Sequence, residues 1–349
     1  MKRNILNWPG KSGPLAEPEV TVLSESETAA TLAVVVIARN ETSHIGACLA
    51  SIGEAIRPHP STQVVVVDSA SSDDTVAIAC QYPVQVYRYT APILTPAAGR
   101  RIGFERVKAR YVLFVDGDCC LEADWIRTGL AVLEATPDVA VVYGARREVF
   151  EETESGYRSD GPSPEEYHLG GNALYRARVL HQVGGFNPFI IADEEAELLG
   201  RIRAAGYRPQ ATPECMFTHY TPPKDSVNSL LRYSRGKTGV GQVLRLALHQ
   251  GQLGYHARRL NRYLLTLAYL LGLVFLALAG LIWQQPAWPL LGLAVGAMAF
   301  AGLALRRRNV RNAVFIAADW VMAALFMSVE LLQRPRFPEQ FAPDVERLK

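Results

Sequence analysis

The stretch Tyr111-Val112-Leu113-Phe114-Val115-Asp116-Gly117-Asp118 limits what this chain can fold into more than any other. Five apolar, β-branched or aromatic residues end abruptly in two carboxylates separated by glycine. Such a run predicts a strand buried on both faces. The acids then fall where the strand leaves its sheet, and in open α/β sheets ligands collect outside the carboxyl ends of strands. Two carboxylates on a turn that glycine can bend suit a hard cation, Mg²⁺ or Mn²⁺, carrying a phosphorylated ligand. A strand that simply runs into an acidic turn is the competing reading, and the neighbouring segments bear on the choice.

Those segments repeat the pattern. Residues 33–38 form a compact apolar strand followed by Arg39-Asn40-Glu41-Thr42, after which Ile45, Leu49 and Ile52 recur at helical spacing. Residues 63–67 predict a second strand, and it too ends in an acid, Asp68. The small polar loop 69–75 and a helix over 76–80 come next. Short side chains there admit an anion or a hydroxyl-rich group to the backbone, although helix capping alone accounts for the serines. A third strand is expected over 84–89. A helix over 97–109, with Arg100 and Arg101 near its start, leads back into the first-named stretch. Arg100 is placed to assist phosphates, with a surface salt bridge as an equally good account. Alternating strands and helices predict a mostly parallel sheet covered on both faces. Three strand ends, at Arg39-Asn40-Glu41, Asp68 and Asp116-Gly117-Asp118, would then gather at one edge.

Further along, residues 125–134 predict a helix and 139–143 a strand. The acidic stretch 148–166, with its Gly and Pro, reads as an excursion or mobile loop. Gly170-Gly171-Asn172 and Gly184-Gly185-Phe186 allow close packing beside a site or serve turns. Asp193-Glu194-Glu195-Ala196-Glu197 opens a helix running to Ala205, and acids in a first helical turn are favoured by the dipole alone.

Beyond residue 225 the composition changes. From Ser226 to Arg262 there is no acidic residue, while Arg232, Arg235, Lys237, Arg245, Arg258, Arg259 and Arg262 are basic. Leu230, Leu231, Val243, Leu244, Leu246 and Leu248 predict amphipathic helices lying on an anionic surface. Residues 263–283 carry no charge and would span ~31 Å as a helix, enough for a bilayer core. Residues 287–305 are again uncharged and end at Arg306-Arg307-Arg308. The positive-inside bias of these flanks places the preceding domain in the cytoplasm. A third run, 313–332, contains Asp319 and Glu330. It predicts a further span, or a segment packed against the other two, and a full crossing would put Arg334 and Arg336 outside, against the charge bias. The expected organisation is a flexible lead-in at 1–30, an α/β domain at 31–225, juxtamembrane helices at 226–262, a membrane region at 263–333 and a tail at 334–349. With 36 basic against 34 acidic residues, nothing points to nucleic acid. Five scattered cysteines without zinc or redox spacing fit a reducing compartment.

Taken together, the motifs resemble those of the family 2 glycosyltransferases, inverting nucleotide-sugar enzymes with the GT-A fold. The likeness covers roughly residues 32–241. It rests, in order, on Val34 through Glu41, Val66 through Thr75, Gly99-Arg100-Arg101-Ile102-Gly103, Asp116-Gly117-Asp118, Gly184-Gly185-Phe186, and Glu194-Glu195 through Gly206-Tyr207. The resemblance implies that Asp68 binds the uracil or ribose side of a nucleotide, with Ala38, Arg39, Asn40 and Glu41 lining the same pocket beside Arg100 and Asp116. It implies that Asp116 and Asp118 hold a divalent cation, Mg²⁺ or Mn²⁺, against the diphosphate, with His219 as a further ligand in some GT-A enzymes. Glu195, with Glu194 close behind, stands where the family has its acceptor-activating acid. Gly170 and Gly171, and Arg232-Tyr233 in place of the Gln-x-x-Arg-Trp motif, fall on the acceptor or diphosphate side.

Two departures from the pattern are plain: Arg101 stands where an asparagine is usual, and glutamate replaces the catalytic aspartate. The implied function is a membrane-bound inverting transferase, catalytic domain in the cytoplasm, moving a sugar from a nucleotide diphosphate (uridine favoured) to a lipid-linked acceptor in envelope glycan or polysaccharide assembly. A processive polysaccharide synthase and a catalytically silent scaffold keeping the fold are the alternatives.

Overall fold

The computed structural model describes residues 30–150, 153–158, 171–221, 238–308 and 310–349. These divide into two compact units, one comprising the chain up to Pro223 together with Arg336–Lys349, the other Lys224–Pro335.

The first unit is built on one sheet. Strand β1 (Ala30–Ala38) lies at its centre, buried along almost its whole length. It pairs in parallel with β2 (Thr62–Asp68) on one side and β4 (Ala109–Asp116) on the other, and β3 (Gln85–Thr90) extends the parallel part beyond β2. The order β3-β2-β1-β4 reverses direction between β1 and β4. That reversal opens a crevice at the carboxyl ends of these two strands, where ligands bind in open α/β sheets. Helix α1 (Ile45–Ala55) buries Ile45, Cys48, Leu49 and Ile52, the face that the sequence spacing marks out. Helix α2 (Thr75–Ala79) follows the serine loop. Helix α3 (Pro96–Glu105) starts on a Thr95 cap with proline at its first turn, an arrangement that satisfies orphan amides. It ends four residues short of the expected Ala109. The segment from Ala109 is drawn into β4 because Val112, Leu113 and Phe114 are wholly buried there.

Past β4 the sheet becomes mixed. Strand β5 (Cys119–Leu121) and helix α4 (Trp125–Ala135) lead to β6 (Val139–Phe150), which is much longer than the expected 139–143. Strand β7 (Thr153–Arg158) turns back antiparallel on β6, pairing Arg147 with Arg158. This corrects the reading of 148–166 as an excursion as far as residue 158; composition alone hides a strand whose partner is supplied by the core, and 159–170 lie outside the described residues. Strand β8 (Ala173–Arg176) inserts antiparallel between β4 and β6. Helices α5 (Ala177–Val183) and α6 (Glu194–Ala204) follow, and β9 (Arg208–Thr221) runs parallel to β6. Within the expected tail, β10 (Asp344–Arg347) joins the sheet antiparallel to β3, pairing Val345 with Tyr89.

The second unit is helical: α7 (Thr238–Gln250), α8 (Leu253–Arg259), α9 (Asn261–Ile282), α10 (Ala287–Arg307) and α11 (Val310–Leu331). The last three are each long and apolar enough to cross a membrane. Helix α7 departs from the expectation of a surface-lying amphipath: Val243, Leu244 and Leu246 are buried, and of the four expected residues on it only Leu248 is exposed. Val240 and Leu244 pack with Leu260, Tyr263, Ala323 and Met327, so other helices take up the apolar face. Leu230 and Leu231 lie outside the described residues.

Candidate active site

Register brings the predicted strand ends together. Ala38 lies opposite Asp68, and Ile37 opposite Asp116, so the three polar termini share one edge of the parallel sheet. The turn after β4 folds back across β1, with the Gly117 amide donating to the Ile37 carbonyl at 2.9 Å. A Cβ on Gly117 would stand 3.1 Å from that of Ala38, which explains the glycine between the two acids. The loops after β1 and β2 are knitted together by donors from one to acceptors of the other. The Asn40 amide donates to Ser71 Oγ, Ser72 N to Asn40 Oδ1, and Glu41 N to Thr75 Oγ1. Asn40 takes a positive φ of 58° to do so. The serine-rich loop thus shapes the neighbouring loop, and its serines do not cap the helix that follows, whose N-cap Asp74 makes no side-chain capping bond.

Asp68 is wholly buried. Its Oδ2 accepts from Arg88 Nε at 2.9 Å and from the Ser71 amide at 3.0 Å, while its Oδ1 is buried with no hydrogen-bond partner among the described residues. A buried acceptor left in that state is costly and calls for a further donor. Arg88 was not anticipated. The signal was available in the parallel register, which sets Arg88 beside Asp68.

Asp116 and the Glu194-Glu195 pair meet through Arg100. This guanidinium is 2% exposed. Nη2 donates to Asp116 Oδ1 at 2.7 Å, Nη1 donates to Glu194 Oε1 at 2.5 Å, and Glu195 Oε1 lies 3.9 Å from Nη2. Its terminal nitrogens are taken up by carboxylates, so of the two accounts the sequence leaves open, phosphate assistance and a salt bridge, the geometry displays an ion pair, and a buried one. Burial pushes the Asp116 carboxyl up to about 6 against the pull of Arg100. Burial and the adjacent Glu195 raise Glu194, again against Arg100. Arg101, the residue that departs from the usual asparagine, donates to the carbonyls of Gly184 and Phe186 and pairs with Glu105. It ties α3 to the turn before α6.

Gly171 closes over the same pair. At its φ of +80°, a Cβ would stand 2.1 Å from Asp116 Oδ2 and 2.6 Å from Arg100 Nη2. Gly171→Ala is accordingly expected to destabilise the fold by about 1–3 kcal/mol and to depress transfer strongly. A thermal melt run beside an activity assay checks both. Next to it, Asn172 Oδ1 accepts from the Asp116 amide at 2.9 Å, and its side-chain nitrogen approaches Cys119 Sγ. Gly170, Arg232 and Tyr233 lie outside the described residues.

On the other side of the turn, His219 on β9 sits 3.2 Å from Asp118 Oδ2 through Nε2 and 2.9 Å from Glu148 Oε2 through Nδ1. Burial opposes its cation, but the bonds to Asp118 and Glu148 outweigh it and push His219 up to about 10. Burial likewise opposes the Asp118 anion, and His219 still holds that carboxyl below the usual range. Asp118, Cys119 and His219 bring one ligand atom each within 4.8 Å of one another, a group that leaves Asp116 out. A carboxylate with an imidazole suits Mn²⁺ better than it suits Ca²⁺. Burial, then Asp118 and Asp116, push Glu41 up to about 7. This crowd of acids is chemically receptive to a divalent cation.

Residues 33–192 match the model of glycosyl transferase family 2. The chain is a glycosyltransferase with a family 2 domain. Glycosyltransferase AglE of Haloferax volcanii is 23% identical over 233 residues, 63% of this chain and 77% of that protein. Among solved structures, the mannosyltransferase PcManGT of Pyrobaculum calidifontis, in complex with GDP-Man and Mn²⁺, superposes with a TM-score of 0.59 at 19% identity. The match covers 87% of each chain, and it establishes for this glycosyltransferase the GT-A fold that its motifs imply. The alternating strands and helices, and the convergence of their ends, are the elements of that fold that the sequence makes readable.

Proposed function

We propose that this glycosyltransferase is membrane-bound and transfers a sugar, with inversion, from a nucleoside-diphosphate donor to a lipid-linked acceptor on the cytoplasmic side of the inner membrane, in the assembly of envelope glycan or polysaccharide. The observation that carries the reading is the Arg100 fork, which joins the end of β4 to the Glu194-Glu195 pair across one crevice. The orphan oxygen of Asp68 suits an imide or amide N–H of a nucleobase, and Ala38, Arg39, Asn40 and Glu41 line the way to it. Asp118 and His219, with Asp116 opposite, would hold Mg²⁺ or Mn²⁺, whose charge would stabilise the departing diphosphate. Glu195 takes the proton of the acceptor hydroxyl as that oxygen attacks the anomeric carbon. Glu194 serves it from behind, since its carboxylate is already engaged by Arg100. A single displacement of this kind inverts the anomeric centre.

Three apolar helices among the described residues support the membrane reading, and a membrane-bound enzyme suits an acceptor anchored in the same bilayer. The resemblance favours uridine, while the Pyrobaculum enzyme was solved with a guanosine donor, so both bases belong in the test. Membranes containing the protein, incubated with a panel of nucleotide sugars and lipid extracts, should yield one glycosylated lipid by mass spectrometry. Donor turnover without any lipid product would refute the lipid-linked acceptor. Asp68→Asn should raise the KM for the donor by about 10- to 100-fold with a smaller change in kcat, reflecting loss of a charged hydrogen bond to the base. Steady-state kinetics on the donor checks this.

A further inference from the structure

The helical unit is inserted between β9 and β10, and both strands belong to a single sheet. A folded sheet occupies one side of a membrane. The chain must therefore cross the bilayer an even number of times between Thr221 and Asp344, yet its described residues there include three helices long enough to cross. Packing within the helical unit shows which of them stands apart.

Helices α9 and α10 form an antiparallel hairpin. Gly280 lies against Pro289, Gly292 against Leu273 and Leu276, and Gly296 against Tyr269, whose hydroxyl donates to the Gly292 carbonyl at 3.1 Å. Extending that register puts the end of α10 level with the start of α9. Arg258, Arg259 and Arg262 therefore sit at the same end as Arg306, Arg307 and Arg308, and Trp283 and Trp288 mark the opposite end. Helix α11 begins at Val310, directly beyond the arginines. Its later residues Ala323 and Met327 pack with Leu260 and Tyr263, again at the base of α9. At 22 residues it is ~33 Å long. Both of its halves are thus tied to the arginine end of the hairpin.

We propose that the α9–α10 hairpin alone crosses the bilayer, and that α11 lies along the membrane face on the catalytic side. The inference rests on the membrane reading above and deepens it. Ala313, Ala323, Ala324 and Met327 are buried in protein, whereas Val314, Leu325 and Val329 are each about half exposed and recur at 11 and 4 residues, along one line of the helix. That stripe meets lipid at the level of the headgroups and upper acyl chains. Near its end, Arg245 of α7 donates to the Glu330 carbonyl and approaches its carboxylate at 3.4 Å, holding α11 down on the protein. The arrangement removes the conflict with the charge bias: the arginines flanking the hairpin, and Arg334 and Arg336 beyond α11, all face the same compartment.

Three exposed positions test the crossings: Glu54→Cys on α1, Gln285→Cys in the hairpin turn and Glu339→Cys before β10. Each is expressed in the full chain and treated, in sealed vesicles of known orientation, with a membrane-impermeant maleimide. Mass spectrometry of the labelled peptides separates them from the native cysteines. Labelling of 54 and 339 from one side and 285 from the other is expected. Labelling of 339 together with 285, or of all three from one side, would overturn the proposal. Depth is read with nitroxides at Val314→Cys and Leu325→Cys, by comparing collision with dioxygen and with a nickel chelate. An in-plane helix gives the two positions the same depth, whereas a crossing helix separates them by ~16 Å and would overturn the proposal. Release of the chain by alkaline carbonate would refute the membrane reading itself, and the topology with it.

Discussion

Asp118→Ala should reduce Mn²⁺-dependent donor turnover by ~100-fold or more, the size of effect seen when a preorganised electrostatic group is removed from a transition state. Among the described residues, Asp118 is the carboxylate of the Asp116-Gly117-Asp118 turn that pairs with no arginine; its partner is His219 at 3.2 Å. A loss of that size, with the variant folded and its Mn²⁺ requirement shifted upward, identifies Asp118 as the group that brings the cation to the diphosphate. His219→Ala should move the Mn²⁺ requirement in the same direction by a smaller factor. Its imidazole is shared with Glu148, so its removal leaves the Asp118 carboxylate in place. Titration of turnover against Mn²⁺ after treatment with a chelator measures both. Unchanged activity in Asp118→Ala would remove the cation clamp from this side of the turn.

Glu195→Gln should lower kcat by about 10²- to 10⁴-fold, the usual contribution of a positioned general base, and leave donor binding intact. The amide keeps the shape and loses the capacity to accept the acceptor's proton. Glu194→Gln provides the contrast. It cancels the charge that faces Arg100 Nη1 at 2.5 Å and so disturbs the fork that also holds Asp116. Donor affinity should therefore fall in Glu194→Gln as well as turnover, because an arginine buried with one carboxylate fewer reorganises what remains. Calorimetric binding of nucleotide, set beside single-turnover transfer, distinguishes the two. Full transfer by Glu195→Gln would hand the role of base to Glu194.

The parts of this protein that could be read in advance are those in which local pattern and tertiary position coincide. Strands β1, β2 and β4 are largely buried apolar runs; β2 and β4 end in the carboxylates that the crevice uses, and β1 runs straight into Arg39-Asn40-Glu41. The antiparallel half was less legible because its strands are specified by distant partners. Strand β7 is acidic in its surroundings, and β10, Asp-Val-Glu-Arg, carries the charges that suit an edge and disguise a strand. Within the site, Asp68, Asp116 and Asp118 were visible as strand ends. Arg100 was visible as a residue and opaque as a role, since only the packing of α3 decides that its fork turns inward to carboxylates. Arg88, Asn172 and Glu148 were missed, being ordinary polar residues until register sets them beside Asp68, Asp116 and His219.

The edge pairing of β10 with β3 has a consequence for how the protein is made. A ribosome delivers the chain in order, and early segments begin to fold while later ones are still being synthesised. Strand β3 therefore waits, with one row of backbone groups open, until the whole helical unit has emerged and β10 can dock on it. An open edge of this kind is where strands from other chains add, so the interval before docking is the dangerous one for a crowded nascent population. Under the membrane reading proposed above, prompt delivery of the helices to a bilayer shortens the wait. Productive expression should thus follow membrane insertion capacity more closely than it follows the intrinsic stability of the catalytic domain.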